Sequence, residues 1–333
     1  MATHEQPSGV ALVFPGQGAQ RPGMGRDFCA AFALCRDTFV EASDAVGFDV
    51  ADVCWNDDPR LDDTEYTQPC IVTVEVAMVR ALRAELGFEG NYFGGHSLGE
   101  YSALCAADVI SLGDAVRMTR RRGVLMQEAV PKGHGAMLAV IAEGIGCRDL
   151  EGELRAFGVD VANRNSPDQI VISGAAGAVA GASARLEQIL SGTEHRLVPL
   201  NVSAPFHSRL MESIEREYRD VLQALAPAFR PEHARRCTSN VTGGFHQPDA
   251  GAIVDALTRQ VSMPVDWVSN MKALRDTAGR IYEVGPGRPL SGFFKAIGCS
   301  VTSIISVKSA QRELAVATAE LRSEGTHPSR ESF

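Results

Sequence analysis

Short apolar runs alternate with longer stretches of mixed polarity along most of this chain. Val10–Phe14 is continuously apolar, and Tyr92–Phe93 and Ile281–Val284 are shorter runs of mostly apolar residues. Runs of this length, bounded by turn residues, are typical of buried strands. Because the stretches between them are long enough for helices, the pattern predicts an α/β protein with a parallel sheet.

The stretches of mixed polarity predict helices. Thr67–Leu82 is apolar on nearly every side and carries a proline near its start, so we expect a buried helix with Pro69 in its first turn. Further helices are predicted over Arg26–Val46, Glu100–Ala107, Asp114–Gln127, Arg209–Ala226 and Ala250–Gln260, with a last one opened by Gly285–Gly287 and running through Lys295.

The order of the predicted elements changes between residues 135 and 200. Strands and helices there follow the order βαββαβ, which is typical of a ferredoxin-like subdomain. We therefore expect a large α/β domain of residues 10–134 and 201–323, interrupted by a ferredoxin-like subdomain of residues 135–200. Residues 1–9 are expected to be a disordered N-terminus, and residues 324–333 a polar tail. The predicted elements of the insert are Ala136–Ile141, Arg148–Phe157, Val159–Ala162, Gln169–Ser173, Ala176–Leu190 and Arg196–Leu200.

Composition narrows the classes of function. The chain of 333 residues is 45% hydrophobic and 22% charged, as in ordinary globular proteins, and its formal net charge of −9 argues against a nucleic-acid partner. The eight cysteines include no C-x-x-C pair, so we expect reduced thiols, with neither a zinc site nor a disulfide framework. The polar N-terminus lacks the apolar core of a signal peptide, and no window is long enough to span a membrane. We expect a cytoplasmic protein with no metal and no bound cofactor.

The strongest local motif is Gly95-His96-Ser97-Leu98-Gly99, which lies between a short apolar run and a predicted helix. A strand, a tight turn and a helix in this order hold a serine in a strained conformation at a helix N-terminus, where negative charge is favoured. Glycines are needed on both sides because side chains there would collide with the backbone. Five residues alone also fit a Gly-Ser turn without chemistry.

A serine nucleophile needs a base, and histidine has a suitable pKa. His207 is the best of the eight candidates, because it lies on the polar loop Asn201–Ser208 at a predicted helix start. A lone loop histidine is nevertheless more often solvated than catalytic. The loop Pro15–Gly25, with glycines at 16 and 18, fits either a close approach to the site or an ordinary strand–helix connection.

Eight motifs occur in the order found in malonyl-CoA:acyl carrier protein transacylases, and the chain resembles this family over roughly residues 10–310. These motifs are Phe14–Gln20, Thr67–Pro69, Gly95–Ala103, Arg122–Gly123 with Met126–Gln127, Asn165–Pro167, Ser203–Ser208, Arg259–Gln260 and Glu283–Gly287. The resemblance implies an α/β-hydrolase-like large domain. It also implies transfer of a malonyl group from malonyl-CoA to an acyl carrier protein through a malonyl-serine intermediate.

The resemblance also implies roles for single residues. Ser97 matches the nucleophile, and His207 matches the general base and acid. The carbonyl of Gln260 matches the group that orients the histidine, so no aspartate need complete a triad. The backbone amides of Gln17 and Leu98 match the oxyanion hole.

Substrate selection is assigned in the same way. Arg122 matches the residue that binds the malonyl carboxylate, for which a planar guanidinium is well suited. Without the motif, the default reading of Arg122 would be one of three arginines on a solvated helix face. His96 and Asn165 match polar groups of the pocket. Phe206 resembles the malonyl-type signature of polyketide acyltransferases and should crowd an α-methyl branch, while the choice between a fatty-acid and a polyketide pathway stays open.

Three other functions are compatible with parts of this pattern. An editing hydrolase would use the same Ser97 and His207, but retention of Arg122 favours malonyl transfer. A non-catalytic carrier-binding module would be expected to have lost Ser97 or His207. An ordinary esterase would place an acid between its serine and a C-terminal histidine, and would leave the insert unexplained. We expect a monomer whose partners are a coenzyme A thioester and an acidic carrier protein, for which Arg120, Arg121 and Lys272 are candidate contacts.

Overall fold

A computed structural model of the chain describes residues 7–313 and residue 315 and contains two four-stranded sheets. The first is entirely parallel, with strand order β2-β1-β7-β8, which confirms the parallel sheet predicted from the short apolar runs. Its strands are β1 (Val10–Phe14), β2 (Tyr92–Gly95), β7 (Arg280–Val284) and β8 (Thr302–Ile304).

The second sheet is antiparallel, with order β4-β5-β3-β6. Together with two helices it has the βαββαβ order of a ferredoxin-like unit, as predicted, and it has its own apolar core. The exact domain boundaries at 134/135 and 200/201 stay a prediction. The strands are β3 (Gly135–Ala142), β4 (Val159–Ser166), β5 (Gln169–Ala175) and β6 (His195–Pro199).

Helices complete the fold, and α4 lies at the centre of the large unit with 16 of its 21 residues buried. The helices are α1 (Arg26–Ala31), α2 (Ala33–Val46), α3 (Val50–Trp55), α4 (Thr64–Ala84), α5 (Gly99–Ala106), α6 (Leu112–Ala129), α7 (Glu151–Ala156), α8 (Ala176–Ile189), α9 (Glu215–Leu225), α10 (Ala250–Gln260), α11 (Trp267–Thr277) and α12 (Leu290–Ala296). A further helical segment begins at Val307. None of the described helices is both long and apolar enough to cross a bilayer.

Several helix predictions need correction. The helix predicted over Arg26–Val46 is broken at Phe32, whose backbone is extended. Helix α4 begins before the predicted start, since Tyr66 and Thr67 already bond to the carbonyl of Asp63, so Pro69 lies inside the helix. The helix predicted from Arg209 starts as a 3-10 segment. Helices α3 and α11 and strand β8 were not predicted.

The two chain ends lie partly outside the described residues. Ser8 and Gly9, from the stretch that we expected to be disordered, form backbone hydrogen bonds with Thr277, Gly279 and Arg280. Residues 1–6 and the predicted polar tail of residues 324–333 are outside the described part.

The ferredoxin-like unit contacts the large unit beside His207. The backbone of Val265 bonds to both Ala162 and Arg164 of β4. Arg209, two residues after His207, forms an ion pair with Asp160 of β4 at 2.6 Å. The insert is therefore attached at the loop that carries the candidate base.

The turn between β2 and α5 is packed so closely that only glycine fits on either side of Ser97. A Cβ atom on Gly95 would lie 1.9 Å from the carbonyl carbon of Gly99, and one on Gly99 would lie 2.2 Å from the carbonyl oxygen of Phe14. A Cβ on Gly16 would lie 2.6 Å from the carbonyl oxygen of His96. The Pro15–Gly25 loop therefore does approach the serine turn closely.

Replacement of Gly95 by alanine is expected to destabilise the protein by at least the upper end of the ~1–3 kcal/mol typical of overpacking, because backbone cannot move aside as a side chain can. The measurement is urea unfolding of the variant. Gly177→Ala is the matched control: Gly177 lies in α8 with open space around its Cβ position, so it should gain up to about 1 kcal/mol. Equal stability of the two variants would contradict this account of the turn.

Candidate active site

Ser97 occupies a strained position at the turn between β2 and α5. Its φ of 52° is in the left-handed region, which non-glycine residues rarely adopt. Its backbone N–H donates to Oδ1 of Asn240 at 2.6 Å, and its carbonyl accepts from Nε2 of Gln260 at 2.9 Å. The peptide is thus held on both sides by side chains from distant parts of the chain.

His207 lies directly against the serine hydroxyl. The distance from its Nε2 to Oγ of Ser97 is 2.7 Å, and its Nδ1 lies 2.8 Å from the carbonyl oxygen of Gln260. Because that carbonyl can only accept, Nδ1 carries the proton and Nε2 is free to take one from the serine. The backbone of His207 is also left-handed, with φ 55°, and its side chain is buried.

The surroundings keep the histidine neutral. Burial, followed by the positive charge of Arg122, lowers the pKa of His207 from its ordinary value of 6.5 to about 3. A neutral imidazole at pH 7 can accept a proton, whereas an imidazolium cannot. The pair therefore has the protonation state that a serine nucleophile requires.

Arg122 extends from α6 into the same pocket and is only 2% exposed. Its Nη1 donates to Oε1 of Gln68 at 2.9 Å, and its Nη2 donates to Oγ of Ser97 at 3.1 Å and to Oε1 of Gln260 at 3.0 Å. The guanidinium carbon lies 5.7 Å from the ring centre of Tyr101. The default reading of a solvated helix face is wrong for this residue.

Among the described residues, the Arg122 guanidinium donates only to neutral side chains, and its Nε has no hydrogen-bond partner. Isolated buried charges are costly and are usually compensated by an opposite charge. A cation held only by neutral groups beside a serine hydroxyl is therefore suited to an anionic ligand.

Gln17 and Leu98 flank the serine from two elements. Leu98 is the N-terminal cap residue of α5, directly after Ser97. Gln17 lies in the loop whose Gly16 approaches the carbonyl of His96, and its side chain donates to Oγ1 of Thr64 at 3.1 Å. Both lie at the serine turn, and their use as an oxyanion hole stays a prediction.

The remaining predicted residues line the seam between the two units. Nε2 of His96 lies 2.7 Å from Oδ1 of Asn165, a buried residue of β4, and burial lowers the pKa of His96. Phe206 is buried next to His207. All the predicted site residues thus lie on the segments that form this site.

Glu100 and Asn240 also belong to the site, and neither was predicted from the sequence. Oε2 of Glu100 accepts from Nε2 of Gln260 at 2.6 Å and from the backbone N–H of Asn240 at 3.2 Å. Nδ2 of Asn240 donates to the carbonyl of Gly95 at 2.7 Å. A carboxyl group in an otherwise apolar helix was the available signal for Glu100.

Two of the three candidate docking residues are engaged within the chain. Arg120 donates to the carbonyl of Val46, and Arg121 forms an ion pair with Glu217. Lys272 is exposed. No cluster of three or more metal-binding side chains occurs in the described part of the chain, and the expected absence of a metal or cofactor stays a prediction.

A strained serine between a strand and a helix, bonded to a neutral buried histidine, is the arrangement of enzymes that transfer acyl groups through a serine. The comparisons with known proteins agree: residues 11–270 match the family model described as acyl transferase domain. The chain belongs to this acyl transferase family.

Individual relatives cover most of the chain. It is 38% identical over 293 residues to the malonyl CoA-acyl carrier protein transacylase of Bacillus subtilis, covering 86% of this chain and 71% of the relative. The enzyme of the same name from Escherichia coli K12 is 37% identical over 300 residues, covering 88% and 94%. The crystal structure of the Clostridium perfringens enzyme superposes with a TM-score of 0.85 at 33% identity, covering 95% of this chain and 100% of that one.

A further solved structure contains a type II polyketide synthase acyl-carrier protein in complex with its malonyl-transacylase. The matched chain superposes on this protein with a TM-score of 0.84 at 35% identity and covers 93% of it, with 100% of that chain aligned. These likenesses confirm the predicted family and the predicted α/β-hydrolase-like fold with a ferredoxin-like subdomain.

The lowered pKa of His207 predicts how the reactivity of Ser97 depends on pH. The rate of labelling by a serine-directed fluorophosphonate should be constant from about pH 5 to pH 8 and fall only at lower pH, because the imidazole stays neutral over this range. In Arg122→Ala the decrease in labelling rate at acid pH, the acid limb of the profile, should move to higher pH, because one cause of the lowered pKa of His207 is removed. Arg121→Ala, in the adjacent position, should leave the limb unchanged. A wild-type limb centred near pH 6.5 would contradict the assigned environment.

Proposed function

We propose that the protein transfers a malonyl group from malonyl-CoA to the phosphopantetheine thiol of an acyl carrier protein, with malonyl-Ser97 as the intermediate. The observation that carries the proposal is the buried Arg122 guanidinium, which among the described residues donates only to neutral side chains and lies 3.1 Å from the serine hydroxyl. An acyl group bound to Ser97 would have its far end within reach of this cation if it carried a carboxylate.

The first half-reaction forms the acyl-enzyme. Oγ of Ser97 attacks the thioester carbonyl while Nε2 of His207 accepts the hydroxyl proton, and the carbonyl of Gln260 stabilises the imidazolium through Nδ1. The developing oxyanion accepts hydrogen bonds from the backbone N–H groups of Gln17 and Leu98, each worth about 2.7–4 kcal/mol in comparable sites. Collapse of the tetrahedral intermediate expels the coenzyme A thiolate, which takes the proton from His207.

The second half-reaction uses the same groups in reverse. His207 removes the proton from the carrier thiol, and the thiolate attacks the carbonyl of malonyl-Ser97. The serine oxygen leaves and is reprotonated by His207, which restores the resting hydrogen bond. One base therefore serves both halves of a ping-pong cycle.

Arg122 has two effects in this scheme. It binds the malonyl carboxylate through two parallel hydrogen bonds, which selects an acid-bearing acyl group over a neutral one. Its charge is also, after burial, the second cause of the lowered pKa of His207, and a bound carboxylate offsets that charge. Binding of the correct substrate therefore makes the base stronger, at the moment when it must accept a proton.

The editing hydrolase considered from the sequence is not favoured, because the relatives reported above are named as transacylases. The carrier protein is the partner that the solved complex supports, and the pathway is fatty-acid or polyketide synthesis. We propose a cytoplasmic location, supported by eight cysteines that are all free. The expectation of a monomer stays a prediction.

Intact-mass measurement after brief exposure to malonyl-CoA tests the proposal. Wild type should gain one malonyl group that moves to an added phosphopantetheinylated carrier protein, and Ser97→Ala should gain none. In Arg122→Ala, malonyl acylation should slow by roughly 10- to 100-fold, the loss expected for a hydrogen-bonded charge, while acetyl acylation slows less.

Arg121→Ala is the matched control for acylation by the coenzyme A thioester, because Arg121 is its sequence neighbour but pairs with Glu217. Its malonyl rate should equal that of wild type. An adduct that forms best with acetyl-CoA and decays in water without a carrier would instead identify an editing hydrolase.

Phe206 is proposed to exclude branched acyl groups, because it is buried and directly precedes the base in the chain. Phe206→Ala should raise acylation by methylmalonyl-CoA relative to malonyl-CoA, measured by the same mass assay. Phe229→Ala removes an equally buried ring elsewhere and should lower stability without changing the ratio. An unchanged ratio in Phe206→Ala would remove this role.

A further inference from the structure

We infer that Glu100 is a positioning residue that fixes the direction of Arg122 through the side-chain amide of Gln260. The inference rests on the proposed function, because its consequence is the preference for a malonyl group. Glu100 is 1% exposed and lies on α5, three residues after Ser97. It does not contact the reacting atoms and would act through its neighbours.

The first step concerns which way the Gln260 amide faces. Its Nε2 donates to two oxygens, Oε2 of Glu100 at 2.6 Å and the carbonyl of Ser97 at 2.9 Å. Its Oε1 is thereby turned towards Arg122 and accepts from Nη2 at 3.0 Å. A rotated amide would aim N–H groups at the guanidinium, so donor would face donor.

The second step concerns the oxygen that sets this direction. Oε2 of Glu100 accepts from Gln260 and also from the backbone N–H of Asn240 at 3.2 Å. It must be an acceptor for both, and a carboxyl oxygen meets that need. Oε1 of the same group is held by Nε2 of His246 at 2.7 Å, and this histidine is also buried, so the carboxyl group cannot turn freely.

The third step connects Glu100 to the nucleophile. Asn240, whose backbone bonds to Glu100, uses its side chain to accept from the backbone N–H of Ser97. Gln260, whose side chain bonds to Glu100, donates to the carbonyl of Ser97. A single carboxyl group therefore bonds to both residues that clamp the serine peptide, and through one of them to the cation.

The test compares acylation of Ser97 by malonyl-CoA and by acetyl-CoA in Glu100→Gln. The substituted amide can present N–H groups to Gln260 and so permits the rotated amide. We expect the malonyl rate to fall by ~10-fold or more, the loss expected when one buried donor or acceptor is left unsatisfied, and the ratio of malonyl to acetyl rates to fall with it. A loss of folding alone would lower both rates together and leave the ratio unchanged.

Glu75→Gln is the matched control. Glu75 is also a fully buried carboxyl group, but within the described part of the chain its side chain accepts from Oγ of Ser102 and forms no hydrogen bond with Gln260, Arg122 or Ser97. Its ratio of malonyl to acetyl rates should match wild type. Thermal unfolding of both variants shows whether they are folded at the assay temperature.

A double-mutant cycle with Gln260→Ala tests the route. If Glu100 acts through the Gln260 side chain, Glu100→Gln should cause no further loss of the ratio once that side chain is removed. An unchanged ratio in folded Glu100→Gln, or losses that multiply in the double variant, would overturn the inference. Failure of wild type to form a malonyl adduct would instead overturn the proposed function.

Discussion

The site depends on one physical constraint, which is the left-handed backbone of Ser97. A non-glycine residue in this conformation costs about 1–3 kcal/mol, so it persists only when its surroundings hold it. Here the side chain of Asn240 accepts a hydrogen bond from the N–H of Ser97, and the side chain of Gln260 donates one to its carbonyl. These partners lie 143 and 163 residues further along the chain. The conformation of the proposed nucleophile therefore depends on contacts that form only in the complete fold, and the strand–turn–helix segment alone does not contain them. His207 shares the same backbone strain, so both members of the reactive pair are held by contacts outside their own segments.

The second constraint is electrostatic. Arg122 and His207 both lie out of water beside one serine oxygen, where charges interact strongly. Burial, and after it the nearby cation, makes protonation of the histidine unfavourable and lowers the pKa of His207 to about 3. Arg122, which we propose binds the acyl carboxylate, thus also makes the proposed base harder to protonate. In the proposed mechanism a ligand that neutralises Arg122 removes the part of this effect that is due to the cation, while the part that is due to burial remains. Specificity and reactivity are linked to that extent through the charge of Arg122.

The parallel sheet and the serine turn could be predicted from the sequence, because the interactions that determine them are local. The glycines around Ser97 are required by contacts within a few residues, and the apolar runs directly reflect burial of the sheet. The burial of Arg122 was also within reach: Met118, Leu125 and Met126 lie one turn away on α6 and are buried, so helical periodicity places Arg122 on the same face. Helix α11 had a comparable signal in Trp267, Met271 and Leu274, spaced four and three residues apart.

The clamp around Ser97 could not be predicted in the same way. Asn240 lies in a short turn without periodicity, and nothing in its neighbours indicates that its side chain bonds to a serine peptide in another element. Glu100 was visible as a polar residue in an apolar helix, but its partners Gln260 and His246 come from segments that are adjacent only in the folded protein. Long-range polar contacts have no period along the chain, so they become apparent only from coordinates.

The site lies where the two units meet, and two different sets of contacts surround it. The clamp on Ser97 lies entirely within the large unit, since Glu100, Asn240 and Gln260 all belong to it. His96 instead reaches across the seam to Asn165, and Arg209 beside the His207 loop reaches across to Asp160. The ferredoxin-like unit therefore contacts the serine turn through His96 and the histidine loop through Arg209. The contacts that hold the Ser97 peptide are thus separate from the contacts that attach the insert, although both reach the same turn, because His96 directly precedes Ser97.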